Sequence, residues 1–212
     1  KKFPTRQQAE TFINSAPPKS KLDVPTRQQA ETFINVAPPK SKLDLELQID
    51  SVSDLVVTIF TDGSCCLVDV IGDNGLSKRE QRAGFGYYIP SINRQVARPL
   101  APPYTNNRAE LTAVLEAVHE WPETSRLHIV TDSRYVVLIF TGTGLKYASK
   151  GYLDEHGQPV KNADLVKQAV ELLGKYQLEF TRVDAHTGKT DFLSRGNAIA
   201  DRLAVDGAKI VI

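Results

Sequence analysis

Methionine is absent from the 212 residues, tryptophan occurs once, and the only cysteines are the adjacent pair Cys65 and Cys66. Neighbouring cysteines make a poor staple, and two are too few for a disulfide framework, so the small secreted class is excluded and a reducing compartment is the simpler reading. No run approaches the roughly 20 apolar residues that cross a bilayer, which excludes a helical membrane span. No signal peptide is visible, and a chain that opens at Lys1 without Met is expected to lack its original terminus. An excess of one charge is missing too. The formal charge is +1, with 8 Lys/Arg against 6 Asp/Glu in residues 1–50 and 18 against 19 in the remainder. Without a broad basic coat, affinity for any polyanion has to come from local patches, metal ions or a missing region.

What is present reads as globular: 41% of residues are hydrophobic and 24% charged. The length suits one well-buried domain with an appendage. The appendage is a tandem repeat. Pro4–Asp23 and Pro25–Asp44 differ only at Ser15 against Val36. Thr5 with Gln8, and Thr26 with Gln29, form the pattern of a capping box. Ala9, Phe12 and Ile13 would then share one helical face, as would Ala30, Phe33 and Ile34, and the Pro pairs at 17–18 and 38–39 end each helix. Two copies are too few for a solenoid. The expected boundary divides residues 1–50 from a domain over 51–212.

Downstream, apolar and alternating runs predict strands near 54–62, 82–90, 93–98, 127–132 and 177–185, and helices near 107–120, 133–142, 162–174 and 195–207. The fold class is α/β, with a five-stranded mixed sheet flanked by helices. Cys65–Leu76 is expected to be a long loop carrying Asp69, Asp73 and Asn74, and residues 143–161, rich in Gly, Lys and Tyr, an excursion.

Four acids stand in telling contexts. Asp62 closes the apolar run Leu55–Thr61 and precedes Gly63-Ser64; Asp132 closes Leu127–Thr131. Ligands collect at strand ends in such sheets. Glu110 falls in the expected first turn of a helix that Thr105 or Asn106 could cap, and Asp201 mid-helix, one turn after Asn197. Taken singly, each acid has an ordinary use; Asp132 could cap the helix that starts at Ser133. Brought together, they form a patch too negative to stand bare. Its oxygen-only ligands suit Mg²⁺, and a pair of such ions is the usual device for breaking a phosphodiester bond.

These segments, TDGS, TNNRAEL, TDSRYV, and HTG followed by GNAIADRLA, resemble the signature of type 1 ribonuclease H, over about residues 54–209. Ala200-Asp201-Arg202-Leu203-Ala204…Gly207-Ala208-Lys209 resembles the eukaryotic branch. Lys1–Ile13 resembles the last strand and helix of the small hybrid-binding domain that precedes many eukaryotic members, so residues 1–50 read as a truncated, duplicated remnant and linker.

The resemblance implies the ribonuclease H fold and endonucleolytic cleavage of the RNA strand of RNA–DNA hybrids, leaving 5′-phosphate and 3′-hydroxyl ends. It implies two Mg²⁺ ions, with Mn²⁺ as a substitute, held by Asp62, Glu110, Asp132 and Asp201. It gives His186 a part in proton movement or product departure, although the interval to Asp201 is longer than usual and reads as an enlarged loop. Asn106 and Asn107 would lie in the hybrid's minor groove, with Gly63, Ser64 and Ser133 also at the substrate. Thr105 and Asn162 would hold a DNA-strand phosphate, with Pro103 where an arginine is usual. Lys146, Lys150 and Tyr152 would form a weakened basic handle that grips the DNA strand, Tyr152 by stacking. A monomer without membrane attachment is expected, in nucleus or organelle if eukaryotic and otherwise cytoplasmic. Rival readings are a retroelement ribonuclease H domain, a DNA-cutting nuclease or transposase of the same fold, and a non-catalytic hybrid-binding module. The last predicts loss of an acid, and none is lost.

Overall fold

The computed structural model describes residues 55–71, 75–185 and 187–211. The tandem repeat, Asp73, Asn74 and His186 therefore lie outside the described residues, as does the expected boundary at 50/51.

Strands β1 (Val56–Ile71), β2 (Ser77–Ile89) and β3 (Arg94–Leu100) form an antiparallel meander; β4 (Arg126–Thr131) joins β1, and β5 (Gln177–Arg182) joins β4, both in parallel. The sheet order is β3-β2-β1-β4-β5. The predicted five-stranded mixed sheet is present. Of its three inner strands, β1 and β4 carry the near-continuous apolar runs that strands covered on both faces require.

Among the described residues, five α-helices flank the sheet: α1 (Asn106–His119), α2 (Arg134–Leu138), α3 (Gly144–Ser149), α4 (Ala163–Leu173) and α5 (Phe192–Lys209). Strand alternation separates two cores. Val57 and Ile59 of β1 join Leu111, Val114 and Val118 of α1 and Val166 and Ala169 of α4 in the larger core. Phe60 and Val130 point the other way, onto Ala200 with Phe192 and Leu203 of α5. On that face the backbones nearly touch. A Cβ at Gly84 would sit 2.1 Å from the Ala208 nitrogen, and one at Gly86 would sit 2.5 Å from the Ala204 nitrogen. Small residues on both sides thus seat α5 at a fixed height.

Three sequence expectations change. Cys65–Ile71 is not a loop: β1 continues through it, paired with β2 out to Ile71 opposite Ser77. The alternation of Cys66, Val68 and Val70 with Leu67, Asp69 and Ile71 suits a two-stranded extension, tied by Arg79 to Asp69 at 3.3 Å. The two cysteines are free, and as strand neighbours they point to opposite faces. The expected helix over 133–142 continues as a π-helical turn (Ile139–Thr143) into α3, turning at Gly142, whose φ of 154° suits only glycine. Finally, α5 begins three residues before the expected 195. Asp191 caps it by accepting from Ser194 N–H at 3.0 Å, so much of the supposed enlarged loop is helix.

Candidate active site

The parallel register that pairs Phe60 with Val130 carries two residues on to set Asp62 beside Asp132. Asp62 is a strand residue opposite Gly86, not a strand terminus. Glu110 arrives from the opposite side of the sheet. A Cβ at Gly63 would lie 2.0 Å from the Glu110 nitrogen and 2.3 Å from the Ala109 carbonyl carbon. The bare backbone of Gly63 is therefore the seat of α1, which accounts for the glycine without a ligand. Asp62, Glu110 and Asp132 each offer a carboxylate oxygen within 4.8 Å of the others.

Local chemistry fixes each acid. Gly63 N–H donates to Asp62 Oδ1 at 2.8 Å. Thr105, not Asn106, caps α1 by accepting from Arg108 N–H at 3.2 Å. That places Glu110 in the second turn, not the first. Ser133, not Asp132, caps α2, accepting from Val136 N–H at 3.2 Å. Its proton goes to Glu110 Oε2 at 2.5 Å. Ser133 is 5% exposed, and its hydroxyl is engaged by Glu110 and the cap. Asp132, relieved of capping, accepts from Asn197 Nδ2 at 3.1 Å. Asn197 was not singled out by sequence; its place one turn before Asp201 was the available signal.

The electrostatics are those of crowded like charges. Burial above all, then the Asp132 carboxylate, pushes the Asp62 carboxyl up to about 8; Gly63 N–H opposes this, and Asp201 and Glu110 add to it. Burial also raises Glu110, against the pull of the Ser133 hydroxyl, with Asp132 adding a smaller push. Asp201 stands outside the close trio but near enough for its charge to act on Asp62. An oxygen-only set of this kind can hold a hard divalent cation, which would relieve the repulsion.

The other expected residues divide. Thr105, Asn106 and Asn107 are exposed at the start of α1. The Asn106 side-chain oxygen accepts from Cys65 N–H at 2.7 Å, which leaves its amide NH₂ for a ligand. Ser64 is half-buried, one residue beyond Gly63. Asn162 donates to the Tyr135 hydroxyl at 3.3 Å. An ion pair of Arg108 with Asp164 ties α1 to α4 and brings Thr105 and Asn162 to one edge. Lys146 and Lys150 are exposed. The partly buried ring of Tyr152 packs on the larger core, with Lys167 Nζ 5.3 Å from its centre. Of the other histidines, His128 is held by Thr181 Oγ1 at 2.7 Å within the sheet, a structural role.

The family model for RNase H matches residues 54–209. The chain belongs to the ribonuclease H family. The ribonuclease H of Pseudomonas paraeruginosa is 34% identical over 154 residues, covering 71% of this chain and 92% of that relative. Ribonuclease HI of Rickettsia conorii is 30% identical over 162 residues, covering 75% and 95%. Among solved structures, the PFV RNase H domain superposes with a TM-score of 0.57 at 26% identity, covering 74% of this chain and 96% of that one. The ribonuclease H fold read from the sequence is the fold found. No described helix is long and apolar enough to cross a membrane.

Proposed function

We propose that this protein is an endonuclease that hydrolyses the RNA strand of RNA–DNA hybrids, leaving 5′-phosphate and 3′-hydroxyl ends. The observation that carries the reading is the convergence of Asp62, Glu110 and Asp132, drawn from two strands' reach and one helix, on a patch less than 4.8 Å across. Asp62, Asp132 and Glu110, with Asp201 beside them, are the residues that would hold a pair of Mg²⁺ ions, with Mn²⁺ as a substitute. Such ions supply an activated water and charge stabilisation at the leaving oxygen. The chain's own contribution is to hold three carboxylates close together around that patch, with Asp201 beside them, so that a bound cation would favour their ionised form. Ser133 orients Glu110, and Gly63 brings α1 close enough for Glu110 to reach.

Substrate recognition follows from the edge formed by α1 and α4. Thr105 and Asn162 are read as a phosphate clamp, and the amides of Asn106 and Asn107 as detectors of minor-groove acceptors and 2′-hydroxyls. Gly63 and Ser64 border the RNA strand, and Lys146 and Lys150 attract the DNA backbone. His186 is assigned proton movement or product departure. The ending Ala200–Lys209 supports a type 1 enzyme of the eukaryotic branch. Residues 1–50 are read as the remnant of a hybrid-binding domain, dispensable for cleavage. An intracellular monomer is the accompanying reading, its compartment supported by the two free cysteines.

The test compares an RNA–DNA hybrid, duplex RNA and duplex DNA, each with and without Mg²⁺. Cleavage of the hybrid alone, dependent on the metal, is expected. The Asp132→Asn variant should keep the fold, since Ser133 caps α2, and lose cleavage. Activity near wild type in that variant removes Asp132 from the site, and cleavage of duplex DNA overturns the substrate.

A further inference from the structure

Asn197 is 4% exposed and lies on α5, one helical turn before Asp201. Its amide nitrogen donates to Asp132 Oδ2 at 3.1 Å. Its amide oxygen is buried and has no hydrogen-bond partner. A buried acceptor left unpaired is costly, so the position is not a simple solution to packing. A leucine would fill the same space without an orphan atom. What an amide adds is a donor without charge. A lysine or arginine there would also bind Asp132, but would cancel the negative charge that a cation needs.

The placement explains why the donor sits on α5. Residues 197 and 201 are neighbours on one helical face. The ring of Phe60 would lie 2.3 Å from a Cβ at Gly196, so the helix is pressed onto β1 at the adjoining residue. A cavity of about 140 Å³ opens beside Asn197 and Asp201, lined also by Asp184, Lys189 and Arg195. The Asn197–Asp132 bond lies beside that cavity and joins the acid that follows β4 to the helix that carries Asp201.

We infer that Asn197 is a positioning residue that sets Asp132 and Asp201 at the separation required for a divalent cation, acting through its hydrogen bond and not through contact with substrate. This rests on the reading of the acids as metal ligands given above.

The test uses the full chain and its Asn197→Leu and Asn197→Ala variants. Mg²⁺ and Mn²⁺ binding is measured by calorimetry without nucleic acid, beside thermal unfolding and hybrid cleavage across metal concentrations. The leucine variant is expected to keep a near-native Tm and to bind metal about tenfold more weakly, in the range seen when groups supporting metal ligands are removed. Its turnover should recover at high metal, with KM for hybrid unchanged. If the leucine variant unfolds, the alanine variant carries the same expectation. Wild-type metal affinity in a folded variant overturns the inference, as does a rise in KM with metal binding intact. Wild-type protein that cleaves no hybrid and binds no metal overturns the functional reading itself, which the variants alone cannot do.

Discussion

The hydroxyl of Ser133 donates to Glu110 Oε2 at 2.5 Å while accepting from Val136 N–H at 3.2 Å. One oxygen thus starts α2 and aims an acid carried by α1. A hydroxyl has one proton and two lone pairs, so both duties are compatible.

Removing that hydroxyl should separate stability from activity. Ser133→Ala loses the cap, at a cost of about 1 kcal/mol, and frees Glu110 to rotate. Hybrid cleavage should fall by roughly 10–100-fold, the range for groups that support metal ligands. Ser133→Thr keeps both bonds and should retain most activity. Denaturant unfolding and steady-state cleavage of the two variants check this. Equal activity in both would remove Ser133 from the site.

Gly63 offers a sharper probe, because its requirement is steric. An added methyl group would overlap the backbone of Glu110 and Ala109, with separations of 2.0 and 2.3 Å. Neither β1 nor α1 has a flexible side chain there to yield. Gly63→Ala should shift the start of α1, destabilise the protein by about 1–3 kcal/mol, as overpacking does, and abolish most cleavage by carrying Glu110 away from Asp62. A Tm close to wild type with full activity would show that α1 does not seat on Gly63.

The acids were legible because each closes an apolar run or sits in a distinctive neighbourhood, and strand ends gather ligands. The sheet was legible for the same reason: Val57, Ile59, Leu127 and Ile129 leave little room for any other reading. Less legible was anything set by contacts across the chain. Leu67, Asp69 and Ile71 are exposed, so nothing in their polarity distinguished a strand extension from a loop; only pairing with β2 does that. Asp132 was the candidate cap of α2 in the sequence; that Ser133 takes the role instead depended on Glu110 and Asn197, 22 and 65 residues from Asp132 in the chain. The early start of α5 was written in Asp191 and Ser194, a capping pattern that resemblance to the family had masked as loop.

At the far end of α1, the Tyr87 hydroxyl donates to Glu120 Oε1 at 2.6 Å, and Arg94 holds the same carboxylate at 2.7 and 3.2 Å. Tyr87 is 1% exposed. Glu120→Ala leaves its buried hydroxyl without an acceptor, which should cost about 1–3 kcal/mol. The ten-position separation of Glu110 from Glu120 amounts to about 15 Å of helix, so turnover below Tm should not change. A fall in turnover at 25 °C, with the protein folded, would mean that strain at this end reaches the acids.

The crowded carboxylates make a stability prediction with a definite sign. Asp62 has its carboxyl pushed up to about 8 from an ordinary 3.8, by burial first and by Asp132 next. The folded state therefore binds this proton more tightly than the unfolded chain does. Metal-free protein should be most stable at low pH with respect to this group, and should lose that stability as pH rises from about 4 towards 8. A divalent cation binds the ionised form and reverses the trend, so the rise in Tm on adding Mg²⁺ should be larger at pH 8.5 than at pH 5.5. Asp62→Asn cannot ionise. It should be more stable than wild type without metal at pH 8.5, and Mg²⁺ should raise its Tm much less. Thermal unfolding of both proteins at the two pH values, with chelator or with Mg²⁺, checks the prediction. A metal-free Tm that is flat or rising across this range, with no difference between wild type and Asp62→Asn, would show that Asp62 is not held in the crowded, buried setting from which its metal-binding role is argued.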